Sequence, residues 1–406
     1  MALDLEYASG DHPSSFTAKM AVLGVGGAGG NAVRRMHQEG LEGVDLIAAN
    51  TDRQALDEIS EACGDRVRIV QIGSDRTKGL GAGARPELGR QAIEESLDSI
   101  ADMIEGLDLL FIAAGMGGGT GTGAAPVIAS KATEMGILTI AVVTTPFGWE
   151  GRRRFGYAQE GVDALNAAAD TVITVRNERL LETLPEDVGF SEALQIADGV
   201  LMGAVQGIAS VLSRGGEINV DFADVKTVMG GGGPAILGLG YATGEDGARA
   251  AALDAVNNPL VDHLQLSGAT RCLVNVRAAR RLDARSVAEA VQAVGEAAHP
   301  KAEIIFGLEF DGSEHDRIGV TVIATGFEPT GLDHGFGIDL PEADSEDGGT
   351  EDGDPDDEVP SPPNASRRRT RRPFGRLVRW ARSVKASAAS DSLPDRPRRK
   401  PDYLEG

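Results

Sequence analysis

Six short apolar runs mark the first half of the chain: Met20–Val25, Asp45–Ala49, Val67–Ile72, Leu109–Ala113, Leu138–Val143 and Thr171–Val175. Helical patterns fall between them at Asn31–Glu39, Pro86–Ile104, Gly123–Met135 and Arg153–Ala168. A chain that alternates in this way is confined to α/β folds with a parallel sheet. Ligands bind such sheets at the carboxyl ends of the strands, and the glycine runs of this sequence sit at those ends. Glycine totals 54 of 406 residues, and clustered glycine marks backbone that approaches something closely.

A longer pattern, Ser191–Leu212, is apolar around much of its circumference, which suits a helix buried between two domains. Arg214-Gly215-Gly216 breaks it. A second α/β unit follows, with strands near Thr270–Val276, Glu303–Leu308 and Ile318–Ala324 and helices near Gly247–Asn257 and Arg285–Ala298. The expected organisation is a disordered segment at 1–17, a nucleotide domain at 18–190 and a central helix at 191–214. A second domain at 215–328 carries an acidic loop at its start. Residues 329–366 form an acidic linker too poor in apolar side chains to bury a core. Residues 367–406 form a basic tail and a short terminal peptide.

The formal net charge of -23 disfavours nucleic acid and anionic membrane as partners of the main body. Generic surface charge also serves solubility. Cys63 and Cys272 have no metal-type spacing and make no disulfide framework, which fits a reduced cytosol. Met1 to Met20 lacks the basic start and apolar centre of a signal peptide. No apolar run approaches a membrane span. The segment Arg367–Lys385 reads either as an amphipathic stretch for an anionic surface or as a solvated basic tail.

The most specific motif is Gly115-Met116-Gly117-Gly118-Gly119-Thr120-Gly121-Thr122-Gly123, set between a strand and a helix. Backbone N–H groups at such a helix start bind phosphate oxygens, and no lysine follows as in a P-loop. A second run, Gly24-Val25-Gly26-Gly27-Ala28-Gly29-Gly30-Asn31, matches a dinucleotide turn through Gly24, Gly26 and Gly29. The next strand ends in Asn50-Thr51-Asp52, which leaves the ribose carboxylate of that fingerprint undecided. Two cradles on neighbouring strands suit a triphosphate better than a dinucleotide. Gly79 to Glu87 reads as a loop able to order around a γ-phosphate and Mg²⁺. Asp221 and Asp224, three apart, share one helical face. They could polarise water, or one could cap a helix starting at Val225. The six histidines form no metal-type pair, so no protein metal site is expected.

Side by side, these motifs resemble the FtsZ family of bacterial tubulin-like cell-division GTPases over about residues 18–328. The matching segments are Val25 to Val33, Asn50-Thr51-Asp52, Lys78 to Ala84, Ala113 to Pro126, Pro146 to Arg154 and Asn219 to Met229. The resemblance implies a Rossmann-like GTPase domain joined by a long central helix to a second α/β domain, with a disordered tail. It assigns Gly26, Gly27, Ala28, Asn31, Gly117, Gly118, Gly119, Thr120 and Gly121 to the phosphates. Thr144, Glu150 and Arg154 would meet the ribose, and Asn177 and Asp198 the guanine. Asn219, Asp221 and Asp224 would enter the pocket of the next subunit and drive hydrolysis there. The implied ligands are GTP and GDP, with Mg²⁺ held mainly through the phosphates and K⁺ as a further candidate. The implied partners are further copies of the chain, head to tail, and membrane-tethering and regulatory division proteins through the tail. The implied place is the cytoplasm, at midcell on the inner face of the membrane.

The sequence departs from the family pattern at several positions. Ala28 replaces a glycine, Leu194 stands where phenylalanine commonly stacks near the base, and Gly230 to Gly233 with Pro234 follow the acidic segment. The terminal Asp402-Tyr403-Leu404-Glu405-Gly406 is shorter than the usual peptide. Two other readings compete: an NAD-dependent oxidoreductase using Gly24, Gly26 and Gly29, and a scaffold that binds GTP without hydrolysis. Intact Asn219, Asp221 and Asp224 speak against the scaffold.

Overall fold

The computed structural model describes residues 18–183, 189–212, 217–244, 246–257, 266–278, 282–310 and 317–327. The expected N-terminal segment, acidic linker, basic tail, terminal peptide and the break at Arg214-Gly215-Gly216 lie outside these residues. The first unit runs β1 (Met20–Val25), α1 (Gly26–Gln38), β2 (Val44–Asn50), α2 (Arg53–Cys63), β3 (Val67–Gln71) and the single turn α3 (Ser74–Thr77). It continues with α4 (Pro86–Ile104), β4 (Leu109–Gly115), α5 (Thr120–Glu134), β5 (Leu138–Thr145), α6 (Arg152–Ala168), β6 (Thr171–Arg176) and α7 (Asn177–Thr183). The long helix α8 (Phe190–Leu212) and the short α9 (Phe222–Met229) lead into the second unit. That unit is β7 (Gly233–Thr243), α10 (Gly247–Val256), β8 (Arg271–Ala278), α11 (Ala284–Ala297), β9 (Glu303–Phe310) and β10 (Arg317–Thr325).

The strands form one sheet in the order β3-β2-β1-β4-β5-β6-β7-β10-β8-β9. All pairs from β3 to β6 are parallel. Central strands buried on both faces need no polar alternation, and every residue of β1 and β5 is buried. Strand order reverses between β1 and β4, which pair directly, Val25 opposite Ala114. That reversal is a topological switch point, where a crevice opens at the carboxyl ends. Both glycine loops leave the sheet there.

One face of the sheet buries Val22, Phe111 and Ile140 against Val33 and Met36 of α1 and Val200 and Val205 of α8. The other buries Leu23, Ile112 and Val143 against Ile93, Ile100, Ile128 and Val162. Leu237, Leu239, Leu273 and Ile323 of the second unit join the α8 side, so α8 is covered by both units. This corrects the expectation that no run approaches a membrane span. Glu192–Leu212 is long and apolar enough to cross one, but Val200, Leu201, Ala204, Val205 and Ile208 are fully buried inside the protein.

Helices α2 and α7, the single turn α3 and strand β7 escaped the sequence pattern. Helix α2 is amphipathic but short, and Asp52 caps it by accepting from Gln54 and Ala55 N–H. Strand β7 carries Gly238 and Gly240, which disrupt a strand signature. A methyl group at Gly240 would stand 2.0 Å from the Ala251 carbonyl oxygen, so α10 packs directly on the β7 backbone. Helices α1 and α5 begin earlier than expected, at Gly26 and Thr120. Their glycines lie within the first turns, where close packing overrides low helix propensity.

Candidate active site

The first turns of α1 and α5 lie side by side. A side chain at Gly26 would stand 3.0 Å from the Gly121 nitrogen. Neither helix has a side-chain cap or an acidic residue in its first turn. The first amides of a helix have no intrahelical partner, and both starts carry the positive end of the helix dipole. The crevice therefore presents two uncapped helix starts, an arrangement that attracts a multiply charged anion.

The individual residues are placed as follows. Gly27, Ala28 and Asn31 are exposed on α1, and the Asn31 Oδ1 accepts from Arg34 at 3.2 Å. A methyl at Gly115 would stand 2.7 Å from the Ala28 Cβ, so Ala28 fits only because its neighbour has no side chain. Gly117 donates its amide to the Thr122 hydroxyl at 2.9 Å, so that N–H is already engaged. Gly118, Gly119, Thr120 and Gly121 remain as the lining of the α5 start. The Thr120 hydroxyl meets the Thr51 hydroxyl at 2.7 Å, which ties the end of β2 to α5. Gly24 and Gly29 serve packing: a methyl at Gly24 would stand 2.3 Å from the Gly29 carbonyl oxygen.

Beyond the two helix starts, buried Thr144, the penultimate residue of β5, stands opposite Gly115, and its carbonyl accepts from Met116 at 2.8 Å. Glu150 is paired with Arg154 and accepts from the Phe147 amide at 2.9 Å. Arg154 also reaches the Gly117 carbonyl at 3.4 Å, so the pair stands beside the cradle. Asn177 opens α7 at the same edge of the sheet, one residue after Arg176, which pairs with Thr145. It is buried, and its Oδ1 has no hydrogen-bond partner. An orphaned buried acceptor costs stability unless a ligand donor meets it. On α8, desolvation pushes the Asp198 carboxyl up to about 6, against the lowering effect of Arg35 and Arg34. Arg35 joins α1 to α8 by donating to the Gln195 carbonyl at 2.9 Å. Leu194 is 40% exposed on the same helix.

The acidic segment is elsewhere. Strand β6 begins at Thr171, and the Thr171 hydroxyl donates to the Met229 carbonyl at the end of α9. Gly233 donates to the Asp170 carbonyl, and Val220 donates to the Val211 carbonyl at the far end of α8. Asn219, Asp221 and Asp224 therefore lie toward the amino edge of the sheet, opposite the phosphate loops. The 23 residues of α8 span about 35 Å at 1.5 Å per residue, beyond the reach of any side chain. Asp221 occupies the N-cap position of α9 but makes no side-chain cap bond. That disfavours capping as its role, and the helix starts at Phe222 rather than Val225. Asn219, Asp221 and Asp224 are all exposed. Among the described residues no three His, Cys, Asp or Glu side chains converge as a metal site.

Sequence reasoning missed Gly89 and Arg34. A methyl at Gly89 would stand 2.2 Å from the Gly119 carbonyl oxygen, so α4 braces the cradle. The available signal was a lone glycine one turn after Pro86.

Comparison with known proteins agrees with this geometry. Residues 19–185 match the Tubulin/FtsZ family, GTPase domain, and residues 233–328 match the FtsZ family, C-terminal domain. The cell division protein FtsZ of Pseudomonas aeruginosa is 48% identical over 310 residues, covering 76% of this chain and 77% of that protein. An empty FtsZ dimer from M. jannaschii superposes with a TM-score of 0.72 at 40% identity, over 77% of this chain and 89% of that one. A GTPγS-bound protofilament of CetZ2 from Haloferax volcanii gives 0.63 at 25% identity, over 77% and 94%. By domain content, identity and fold, the chain belongs to the FtsZ family of tubulin-like GTPases.

Proposed function

We propose that this chain is a cell-division GTPase that assembles head to tail, with each hydrolytic site completed by the neighbouring subunit. GTP lies across the starts of α1 and α5. Gly26, Gly27, Ala28, Asn31, Gly118, Gly119, Thr120 and Gly121 hold its phosphates, and Gly117 shapes the loop through Thr122. Thr144, Glu150 and Arg154 flank the ribose. Asn177 and Asp198 accept from the N–H groups of guanine. The orphaned Asn177 Oδ1 fits this role, because it awaits a donor.

One observation carries the shared-site reading. The carboxylates of Asp221 and Asp224 sit at the amino edge of the sheet, while the cradle sits at the carboxyl edge. Stacking two copies in the same direction brings one edge onto the other. Asp221 and Asp224, with Asn219, then polarise the water that attacks the γ-phosphate. Leu80, 85% exposed on the loop beside the cradle, supports a surface that another copy covers. Mg²⁺ would be held by the phosphates and water, as hard divalent cations in phosphate sites are, and would neutralise charge on the departing phosphate. Loss of the γ-phosphate changes the contact between subunits, so nucleotide state sets filament turnover. Tethers for the division site would engage the tail, in the cytoplasm on the inner face of the membrane.

GTP turnover measured against protein concentration tests the reading. A shared site gives a threshold and a specific activity that rises with concentration. Constant specific activity down to full dilution refutes it.

A further inference from the structure

Helix α9 carries the acidic residues at its start, yet its position is set from its other end. Four successive carbonyls close its last turn, and side chains from three different strands reach all of them. Arg271, the first residue of β8, donates to the Thr227 carbonyl at 2.7 Å and to the Gly230 carbonyl at 3.4 Å. Thr325, opposite Arg271 on β10, donates to the Val228 carbonyl at 2.7 Å. Thr171 of β6 takes the Met229 carbonyl at 2.5 Å. A guanidinium at a helix C-terminus satisfies the last carbonyls and meets the negative end of the dipole. Gly326 leaves room for it, since a methyl there would stand 3.1 Å from the Arg271 Nε. At the start of α9, Asp221 makes no side-chain cap bond.

We propose that Arg271 is a positioning residue for hydrolysis, fixing α9 so that Asp221 and Asp224 project at a set angle toward the neighbouring subunit. The two threonines anchor single carbonyls. Arg271 alone bridges two, and it ties α9 to the second unit of the chain. Displacing reacting groups by about 1 Å can cost about a hundredfold in rate. Loss of this clamp should therefore slow hydrolysis without touching the nucleotide pocket. The proposal rests on the shared-site reading above.

The test mixes two inactive full-length chains. One has a blocked pocket, Gly121→Ala, and intact carboxylates. The other has an intact pocket and Asp224→Ala. In the parent mixture, contacts that pair the two good halves recover turnover. Arg271→Ala is then placed in one chain at a time, with co-assembly confirmed by sedimentation. Placed in the carboxylate-supplying chain, it should cut the recovered turnover by about tenfold or more, and Arg271→Lys in that place should restore part of it. Placed in the pocket-supplying chain, it should leave recovery within about twofold. Arg271→Gln, read the same way, guards against a misfolded alanine variant. An equal loss in both placements, or no loss in either, overturns the proposal alone. A parent mixture with no recovery overturns the shared site, and the proposal with it.

Discussion

The hydroxyls of Thr51 and Thr120 meet at 2.7 Å inside the protein, joining the end of β2 to the first residue of α5. Thr51 also uses its carbonyl to accept from Thr77 at 3.2 Å, so the loop after β3 is pinned to the same point. The hydroxyl of Thr120, proposed to meet the phosphates, is thus held in one orientation. Thr51→Val removes the bond and leaves a buried hydroxyl unpaired. It should cost about 1–3 kcal/mol of stability, read by denaturant unfolding, and should raise the KM for GTP several-fold.

Glycines of the cradle are not equivalent. A methyl at Gly27 meets nothing within 4 Å, whereas one at Gly89 stands 2.2 Å from the Gly119 carbonyl oxygen. Overpacking of this kind costs about 1–3 kcal/mol. Gly89→Ala should weaken GTP binding by displacing the α5 start, although residue 89 is assigned no contact with nucleotide. Gly27→Ala should leave stability unchanged. Calorimetric GTP titration and thermal melts of both variants separate the two effects.

The strand pattern of the first unit could be read from the sequence because β1, β4 and β5 are continuous apolar runs between glycine turns. The crevice could be read for the same reason. Strand β7 could not, because Gly238 and Gly240 are there for α10, a partner invisible to local pattern. The Thr51–Thr120 bond and the clamp on α9 are pairings over long sequence separations, which no window of residues reveals. Spacing suggested that Asp221 or Asp224 caps a helix. Only the structure shows Asp221 at a cap position without a cap bond.

As a proposed base contact, Asp198 should give GTP binding a pH dependence. Burial raises its carboxyl to about 6, so the folded chain takes up a proton at a pH where the unfolded chain stays ionised. Falling pH from about 6 toward the ordinary carboxylate range should therefore stabilise the nucleotide-free fold against unfolding, as far as this group contributes. In the proposed base site the ionised carboxylate accepts from guanine, so affinity should fall as pH drops below about 6. Asp198→Asn should flatten that limb of the affinity profile. An unchanged limb in the variant would remove Asp198 from the base site.

The exposed carboxylates of the acidic segment are expected to act on turnover alone. Asp221→Asn and Asp224→Asn keep size and shape and remove the charge. Each should lower turnover by about a hundredfold or more while GTP affinity of the monomer stays the same. Filaments of these variants should persist after wild-type filaments have disassembled, as followed by light scattering after a limiting dose of GTP.

Leu194 offers the opposite sign of effect. It stands 40% exposed on α8, four residues and about one turn before Asp198, so its side chain shares the face that carries the proposed base contact. An aliphatic side chain there covers guanine by area alone, whereas an aromatic ring adds stacking of about 0.5–1.5 kcal/mol. Leu194→Phe should therefore tighten GTP binding by about two- to tenfold. The same substitution should leave ATP binding weak, because Asn177 and Asp198 still require donors at the positions guanine supplies. A fluorescence competition titration with both nucleotides decides the matter: no gain for GTP would mean that Leu194 does not lie against the base.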